Sequence, residues 1–399
     1  PATTEIYTLS LPDALPISRP LALHDAPLST QASCRAMMPK LQFHALAPFA
    51  ALGVFILAHF FHGQGWVIAL GGVTILVAVM TAVHHADVVA HRVGEPFGAL
   101  ILALAGTIIE FALIISVMLQ GDEGGAEHAT LTRDAIFATI MIVTNGVIGL
   151  SLLLGGLRHH TQAFRVEGAA PALAVLIALS TLTLVLPSFT TSTSGGTYSV
   201  SQLAFDALVS LTLWLVFIFS QTVRHRQDFL PAQEHVAQNH DAAHEAPSTR
   251  AALWSLGLLL VSLVAVVGLA ESLAPSIEHA VDNLGLPQAV IGIVIASLVL
   301  LPETLTAIRA AMHNRLQTSI NLALGSGLAS IGLTIPIVAL TAGLLGLPLE
   351  LGLGHKEMVL LALSFFIATL TLLLGRSTIV QGAVHLVIFA AFLFLSIVP

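Results

Sequence analysis

Two glutamates, Glu110 and Glu303, each lie near the middle of a long apolar stretch and are the residues best suited to chemistry. Neither has a lysine or arginine within the core of its stretch, and Arg309 follows the second only near the stretch's end. A carboxylate at bilayer depth costs on the order of 2.5–3.5 kcal/mol, so its presence there indicates a function. Without a fixed counter-ion, each group can stay neutral by binding a proton or ionise when a cation arrives. The pair therefore predicts a site that holds either protons or a cation.

Oxygen atoms near the two glutamates could complete such a site. Hard cations such as Ca²⁺ take about six to eight oxygen ligands, which combine carboxylates with hydroxyls, carbonyls and water. Pro302 beside Glu303 frees a backbone carbonyl one turn earlier. The alternative interpretation is ordinary packing of small residues between membrane helices. The candidate ligands are Thr107, Thr144, Asn145, Thr304, Ser326 and Ser330.

Histidines end the second apolar stretch. His84 and His85 are followed by the acidic residue Glu95. Because imidazole titrates near physiological pH, these three residues are candidates for a relay that carries protons from the cytoplasm. The alternative is a plain interfacial position without a role in transport. No His-Glu-x-x-His run occurs in the sequence, which disfavours a zinc protease.

Composition makes the membrane the solvent of this chain. Hydrophobic residues make up 56% of the sequence and charged residues 9%, against about 25% charged in soluble domains. The charge balance excludes a basic nucleic-acid surface, so no nucleic-acid partner is expected. The single cysteine, Cys34, excludes a disulfide framework and a multi-cysteine metal site.

Apolar runs long enough to cross the hydrocarbon predict an all-α integral membrane protein with about eleven transmembrane helices. Breaks at polar residues, glycine and proline separate the runs. The predicted spans are 45–62, 66–90, 97–119, 133–157, 170–188, 203–222, 252–274, 288–311, 317–345, 357–374 and 378–397.

Four regions follow from this pattern. Residues 1–36 are spaced by prolines, lack a signal-peptide pattern and are predicted to be a disordered or non-native leader. Residues 37–222 hold a first helix and a first set of five helices, and residues 252–399 hold a second set. Between them, residues 223–251 form a charged, histidine-rich cytoplasmic linker, either a plain solvated connection or a metal-sensing segment.

Basic residues predict the orientation of the helices. With the N-terminus inside, the cytoplasmic segments hold all lysines and arginines except Arg133 and Lys356. Cytoplasmic loops of membrane proteins concentrate these residues. The chain is therefore predicted to cross the membrane many times, with its N-terminus cytoplasmic and its C-terminus outside.

Two similar units recur with opposite orientation. Each is an apolar helix with one central glutamate, followed by a helix rich in small and polar residues at its middle, over 142–150 and 324–333. The glutamate helices are the third and eighth predicted spans, and an odd offset reverses their direction in the membrane. Inverted repeats with a site at the midplane are a recurring design of secondary transporters.

The motifs of both units resemble a known family. The run 92–98 (Arg-Val-Gly-Glu-Pro-Phe-Gly) leading into 106–110 (Gly-Thr-Ile-Ile-Glu) is similar to the first repeat of bacterial calcium/cation:proton antiporters of the cation/calcium exchanger superfamily. The runs 301–304 (Leu-Pro-Glu-Thr), 314–317 and 323–326 are similar to the second repeat. The resemblance implies one N-terminal helix and two inverted five-helix repeats in a bacterial inner membrane. It also implies that Glu110 and Glu303 bind metal and protons during alternating access.

Both units depart from the Gly-Asn-x-x-Glu pattern of many members, because neither has the asparagine. The expected substrates are therefore Ca²⁺ first, with Na⁺ or K⁺ as alternatives, exchanged for H⁺ and without a cofactor. Proton coupling is favoured over sodium coupling because the second unit's central helix offers Ser326 and Ser330 but no third acid.

Two other functions stay open at this point. A channel or uniporter could use the same acids without moving protons in return. An intramembrane hydrolase could use Ser326 as nucleophile, although His385 is the only weak candidate for its base. The chain is thus expected not to be an enzyme.

Overall fold

Apolar helices make up most of the fold. The computed structural model describes residues 29–61, 64–93, 97–118, 129–230 and 247–398. The described residues from His44 onward form one compact unit, and those from Ser29 to Phe43 belong to another. The helices in chain order are α1 (Ser29–Phe60), α2 (Gly65–Val93), α3 (Phe97–Met118), α4 (Leu131–His159), α5 (Val166–Phe189), α6 (Val200–Arg224), α7 (Arg226–Phe229), α8 (Thr249–Asn283), α9 (Ala289–Met312), α10 (Leu316–Leu345), α11 (His355–Leu372) and α12 (Ile379–Ile397).

Length and composition allow nine helices of the described chain to cross a membrane. They are α2, α4, α5, α6, α8 over its part Thr249–Leu273, and α9 to α12. Two shorter apolar helical stretches, His44–Phe60 in α1 and Ala105–Ile115 in α3, overlap the first and third predicted spans. The predicted all-α membrane architecture is confirmed, and the number of eleven spans stays a prediction.

Two of the predicted regions lie largely outside the described residues. The structure describes the predicted leader, 1–36, only from Ser29, where α1 begins. Of the predicted linker, 223–251, it does not describe 231–246. The role of the linker histidines therefore stays a prediction.

The helices place polar residues inward and apolar residues outward, as expected for a protein surrounded by lipid. Helix α6 illustrates this arrangement. Leu208 and Phe219 are exposed on its outer face, whereas Asp206 and Ser210 are buried on its inner face. A water-soluble helix would show the opposite arrangement.

Two apolar cores meet at the glutamate-bearing helix α9. One core is built from α1, α2, α3, α8 and the first residues of α4, and the other from the rest of α4 with α5, α6, α10, α11 and α12. Helix α9 contributes Ile295 and Val299 to the first core and Ala296 and Leu300 to the second. Glu303 therefore follows directly on the segment of α9 that packs against both apolar cores.

Wide π-helical turns interrupt the central helices of both repeats. One spans Ile142–Val147 in α4, and the other spans Ser330–Thr334 in α10. In the first, Thr144 Oγ1 donates to the Ile140 carbonyl at 2.6 Å. Single π turns inside α-helices are frequent at functional sites because they redirect side chains and free backbone groups. The structure thus places a π turn in the central helix of each predicted repeat, and the first repeat carries two more, Thr181–Val185 in α5 and Ser220–Arg224 in α6.

A short connection ties the two halves together at one end. Strands β1 (Gln162–Ala163) and β2 (Arg376–Ser377) pair antiparallel, with Gln162 opposite Ser377. Nearby, α4 and α12 approach so closely that a Cβ added to Gly382 would lie 2.5 Å from the Leu153 nitrogen. Only glycine fits at that position without moving a backbone.

Replacing Gly382 with alanine should therefore destabilise the fold by about 1–3 kcal/mol, because the new methyl group overpacks a backbone contact. The measurement is the thermal unfolding midpoint of the purified protein in detergent. Gly343→Ala is the matched control, since nothing lies within 4 Å of a Cβ at that position of α10. Equal midpoints for the two variants would contradict the close approach of α4 and α12.

Candidate functional site

Helices α3 and α9 bring the two glutamates to one cavity of about 420 Å³. Glu110 is buried and Glu303 is half-buried. One turn before Glu110, Gly106 faces the second glutamate, and a Cβ added to it would lie 3.8 Å from Glu303 Oε1. Gly106 of α3 thus lies next to the Glu303 carboxylate of α9. The two acids predicted to form a pair thus line the same cavity.

Three hydroxyl groups surround the Glu110 carboxylate. Ser330 Oγ donates to Oε1 at 2.6 Å, and Thr334 Oγ1 donates to Oε2 at 3.2 Å, both from the π turn of α10. Thr139 of α4 donates to Oε1 at the longer distance of 3.5 Å. A hydroxyl can donate to a carboxylate or accept from a carboxylic acid by rotating. The surroundings of Glu110 therefore suit both of its charge states.

Glu303 lacks such surroundings. Its Oε2 is buried and has no hydrogen-bond partner. Among the described residues, no lysine or arginine forms an ion pair with Glu110 or Glu303. A buried carboxylate oxygen without a partner is unfavourable unless a proton or a cation occupies it. Glu303 Oε2 is therefore the atom of the pair best suited to bind a proton or a cation.

The cavity leads from the glutamates to one end of the helix bundle. Exposed residues at that end include Arg226, Leu230 and Arg315, which lie in segments predicted to be cytoplasmic. Glu110, Thr139 and Ser330 line its deep end. The remaining lining residues are Gly106, Thr107, Trp214, Ile218, Gln221, Thr222, Phe229, Val299, Leu300, Glu303, Thr318, Asn321, Leu322, Gly325, Ser326 and Ala329.

Three of the predicted ligands, Thr107, Ser326 and Ser330, lie on the cavity. Thr304 does not line it. Sequence reasoning missed Thr139 and Thr334, which both donate to Glu110. The available signal for Thr334 was its position four residues after Ser330, on the same face of a helix.

Thr144 and Asn145 lie in a different buried network between α4, α11 and α12. Asn145 Nδ2 donates to Ser364 Oγ at 2.8 Å and to Thr144 Oγ1 at 3.1 Å. His385 Nδ1 lies 3.1 Å from Asn145 Oδ1, and its Nε2 lies 3.1 Å from Thr371 Oγ1. The structure thus separates these two predicted ligands from the glutamates. It also places His385, the candidate base of a hydrolase, in a network that does not include Ser326.

Two of the three residues of the predicted proton relay, His84 and His85, lie away from the cavity. The rings of His84 and His44 stack at 4.0 Å, and His85 Nε2 lies 3.0 Å from the His44 carbonyl oxygen. Neither His84 nor His85 lines the cavity. Glu95, the third member of that prediction, lies outside the described residues.

The sequence matches known proteins over most of its length. The profile of the sodium/calcium exchanger protein family matches residues 64–223 and 254–398. An ionic transporter of Sinorhizobium fredii, y4hA, is 51% identical over 81% of this chain and 86% of its own. The sodium-potassium/proton antiporter ChaA of Escherichia coli is 38% identical over 80% of this chain and 85% of its own.

A solved structure shows the same fold. The crystal structure of the H⁺/Ca²⁺ exchanger CAX superposes with a TM-score of 0.66 over 89% of this chain and 88% of the other, at 15% identity. The family profile covers both glutamate-bearing segments and both π turns. The chain therefore belongs to the sodium/calcium exchanger family of membrane transporters.

Proposed function

We propose that this protein exchanges a cation for protons across a bacterial inner membrane by alternating access. The observation that carries the proposal is the pair Glu110 and Glu303, one from each inverted repeat, which face one cavity without a lysine or arginine partner among the described residues. Such a pair is stable with protons or a cation bound and is unfavourable when it is ionised with neither bound. Competition for the same oxygens couples the two fluxes.

In this mechanism, the protein with its cavity open binds the cation from the predicted cytoplasmic side. A cation that reaches the pair displaces protons, and the hydroxyls of Ser330 and Thr334 rotate to donate to the ionised Glu110. Glu303 then contributes its unpartnered oxygen to the cation. Rearrangement of the two repeats exposes the same pair to the other side, where protons displace the cation.

The substrate proposed first is Ca²⁺, and the second candidate is Na⁺ or K⁺. Two carboxylates neutralise one divalent cation, and the hydroxyls of Thr107, Ser326 and Ser330 supply further oxygens of the kind that Ca²⁺ prefers. The monovalent alternative is favoured by the name of ChaA, a sodium-potassium/proton antiporter. For a monovalent cation, only one carboxylate needs to ionise, so fewer protons would leave per cation.

An exchanger fits the cavity better than a channel does. The cavity ends at buried groups, Glu110, Thr139 and Ser330, and its exposed lining residues lie at one end. A channel needs a path that is open at both ends when it conducts. The proposed orientation places the N-terminus in the cytoplasm and the C-terminus outside, so that this cavity faces the cytoplasm.

Removing either titrating group should abolish coupled exchange. In everted vesicles energised to an acidic interior, Ca²⁺, Na⁺ or K⁺ added outside should collapse the pH gradient, as followed by a fluorescent pH probe. Glu110→Gln and Glu303→Gln keep shape but cannot ionise, so each should eliminate the response. Glu167→Gln is the matched control, because Glu167 is exposed in the first turn of α5 and does not line the cavity.

The antiporter proposal is wrong if no cation dissipates the pH gradient in vesicles that contain the wild-type protein. Cation flux without proton movement would instead favour the channel. The cation that collapses the gradient at the lowest concentration identifies the preferred substrate.

Loss of the Ser330 hydroxyl should weaken cation binding. Ser330→Ala removes a 2.6 Å hydrogen bond to the Glu110 carboxylate. Hydrogen bonds to charged groups contribute about 1.5–3 kcal/mol, so the half-saturating cation concentration should rise roughly tenfold or more. Ser262→Ala is the control, since the buried Ser262 hydroxyl donates only to a carbonyl of its own helix α8. An unchanged half-saturating concentration in Ser330→Ala would contradict the assigned role.

The direction in which the cavity opens can be tested by labelling. Gln221→Cys, made in a Cys34→Ser background, places the only thiol on the cavity wall. A membrane-impermeant thiol reagent should label it in everted vesicles and not in right-side-out vesicles. Labelling from the opposite side only would overturn the proposed orientation.

A further inference from the structure

A second buried acid lies in the half of α6 that the cavity does not reach. Asp206 is 3% exposed, and its Oδ1 accepts a hydrogen bond from Thr183 Oγ1 of α5 at 3.2 Å. Its Oδ2 is buried without a hydrogen-bond partner. One turn further along α6, the fully buried Ser210 Oγ also lacks a partner. Unpartnered polar groups are uncommon in protein interiors and call for a ligand or a function.

No basic side chain of the described residues neutralises Asp206. Among the described residues it forms no ion pair. The neighbouring helix α5 offers the neutral hydroxyl of Thr183. The segment before α6 offers Tyr198, whose hydroxyl donates to the Leu182 carbonyl at 2.5 Å. Burial and the nearby Asp206 raise the pKa of Tyr198 to about 12, so the phenol is neutral at physiological pH.

The buried face of α6 connects Asp206 with the glutamate site. That face carries Asp206, Ser210, Trp214 and Phe217. Trp214 lines the cavity, whereas Asp206 and Ser210 do not. The π turn of α10 that holds Glu110 packs on this tryptophan, because a Cβ added to Gly332 would lie 2.5 Å from Trp214 Cβ. Polar groups thus continue beyond the tryptophan, on the side opposite the open cavity.

The inverted repeat provides an internal comparison. Asp206 and His385 occupy equivalent places, each seven residues after the N-cap residue of its helix, Ser199 in α6 and Thr378 in α12. At both N-caps the backbone N–H donates to a glutamine side chain three residues later. Both ring nitrogens of His385 have side-chain partners, whereas Asp206 keeps one free oxygen. A structural role accounts for the histidine but leaves the aspartate unexplained.

We propose that Asp206, which accepts a hydrogen bond from Thr183 and lies one turn from the unpartnered hydroxyl of Ser210, is a third proton-binding carboxyl group, which serves the half of the transport path opposite the cavity. This inference rests on the proposed function of cation/proton exchange. The ligand is a proton, because one carboxylate and two hydroxyls fall short of the roughly six oxygens that Ca²⁺ requires. The proton binds Asp206 Oδ2 from the outer side and leaves the carboxylate again on its way to the glutamate pair.

Two assays on purified protein in liposomes separate proton transfer from cation transfer. The first measures cation uptake driven by a pH gradient. The second measures exchange of radiolabelled for unlabelled cation at equal pH on both sides, which moves no net protons. In Asp206→Asn, gradient-driven uptake should fall by about tenfold or more, the scale of a lost proton-transfer group, while the labelled exchange is retained. Asp206→Glu should restore gradient-driven uptake in part.

Thr212→Val is the matched control, since Thr212 lies on the exposed face of α6 and donates only to its own helix. It should leave both assays unchanged. An equal loss of both activities in Asp206→Asn would make the residue structural and overturn the inference. A change only in the half-saturating cation concentration would make it a cation ligand and also overturn it, as would no change in either assay.

Failure of the two ideas can be told apart. If wild-type protein shows labelled exchange but no response to a pH gradient, the proposed proton coupling itself is wrong. If wild type couples to protons and Asp206→Asn does so equally well, only the role of Asp206 is wrong.

Discussion

The structure depends on one constraint: two carboxyl groups must stay inside a lipid-embedded bundle without a permanent counter-charge. The fold meets it unequally. Glu110 receives three hydroxyl donors, two of them from the π turn of α10, whereas Glu303 keeps a buried oxygen without a partner. Fixed cations would stabilise both groups more strongly, but they would also remove the need for a mobile ion. The weakness of this site when empty is therefore the property that transport uses.

In the proposed mechanism, the inverted repeat lets one site serve two faces of a membrane. Helix α9 contributes to both apolar cores, so Glu303 lies on an element that packs against both. The π turns in α4 and α10 contact different polar residues in this structure. The turn in α10 holds Glu110, whereas the turn in α4 binds His385 through Asn145. Equivalent segments in unequal roles are what an exchanger caught in one of its two states should show.

The sequence predicted the glutamates and the helices because both signals are strong and local. A long apolar run is recognisable from composition alone, and so is a single acid within it. The ligand shell was predicted less well. Thr144 and Asn145 were grouped with Ser326 and Ser330 by their similar places in the repeats, but the two π turns direct them to different neighbours. Thr139 reaches Glu110 only through tertiary packing of α3 on α4, which no local pattern encodes.

Asp206 shows a further limit of reading depth from sequence. It lies six residues inside α6, close enough to the helix end to be taken for an interfacial residue, and it has no partner acid in the second repeat. Only packing reveals that it is nearly inaccessible and that its equivalent is His385, which neutral side chains satisfy completely. The two repeats thus differ at a buried, titratable position, where one carries an aspartate and the other a histidine. In the proposed mechanism, this difference gives the two faces of the membrane different chemistry, which a symmetric pair of repeats could not provide.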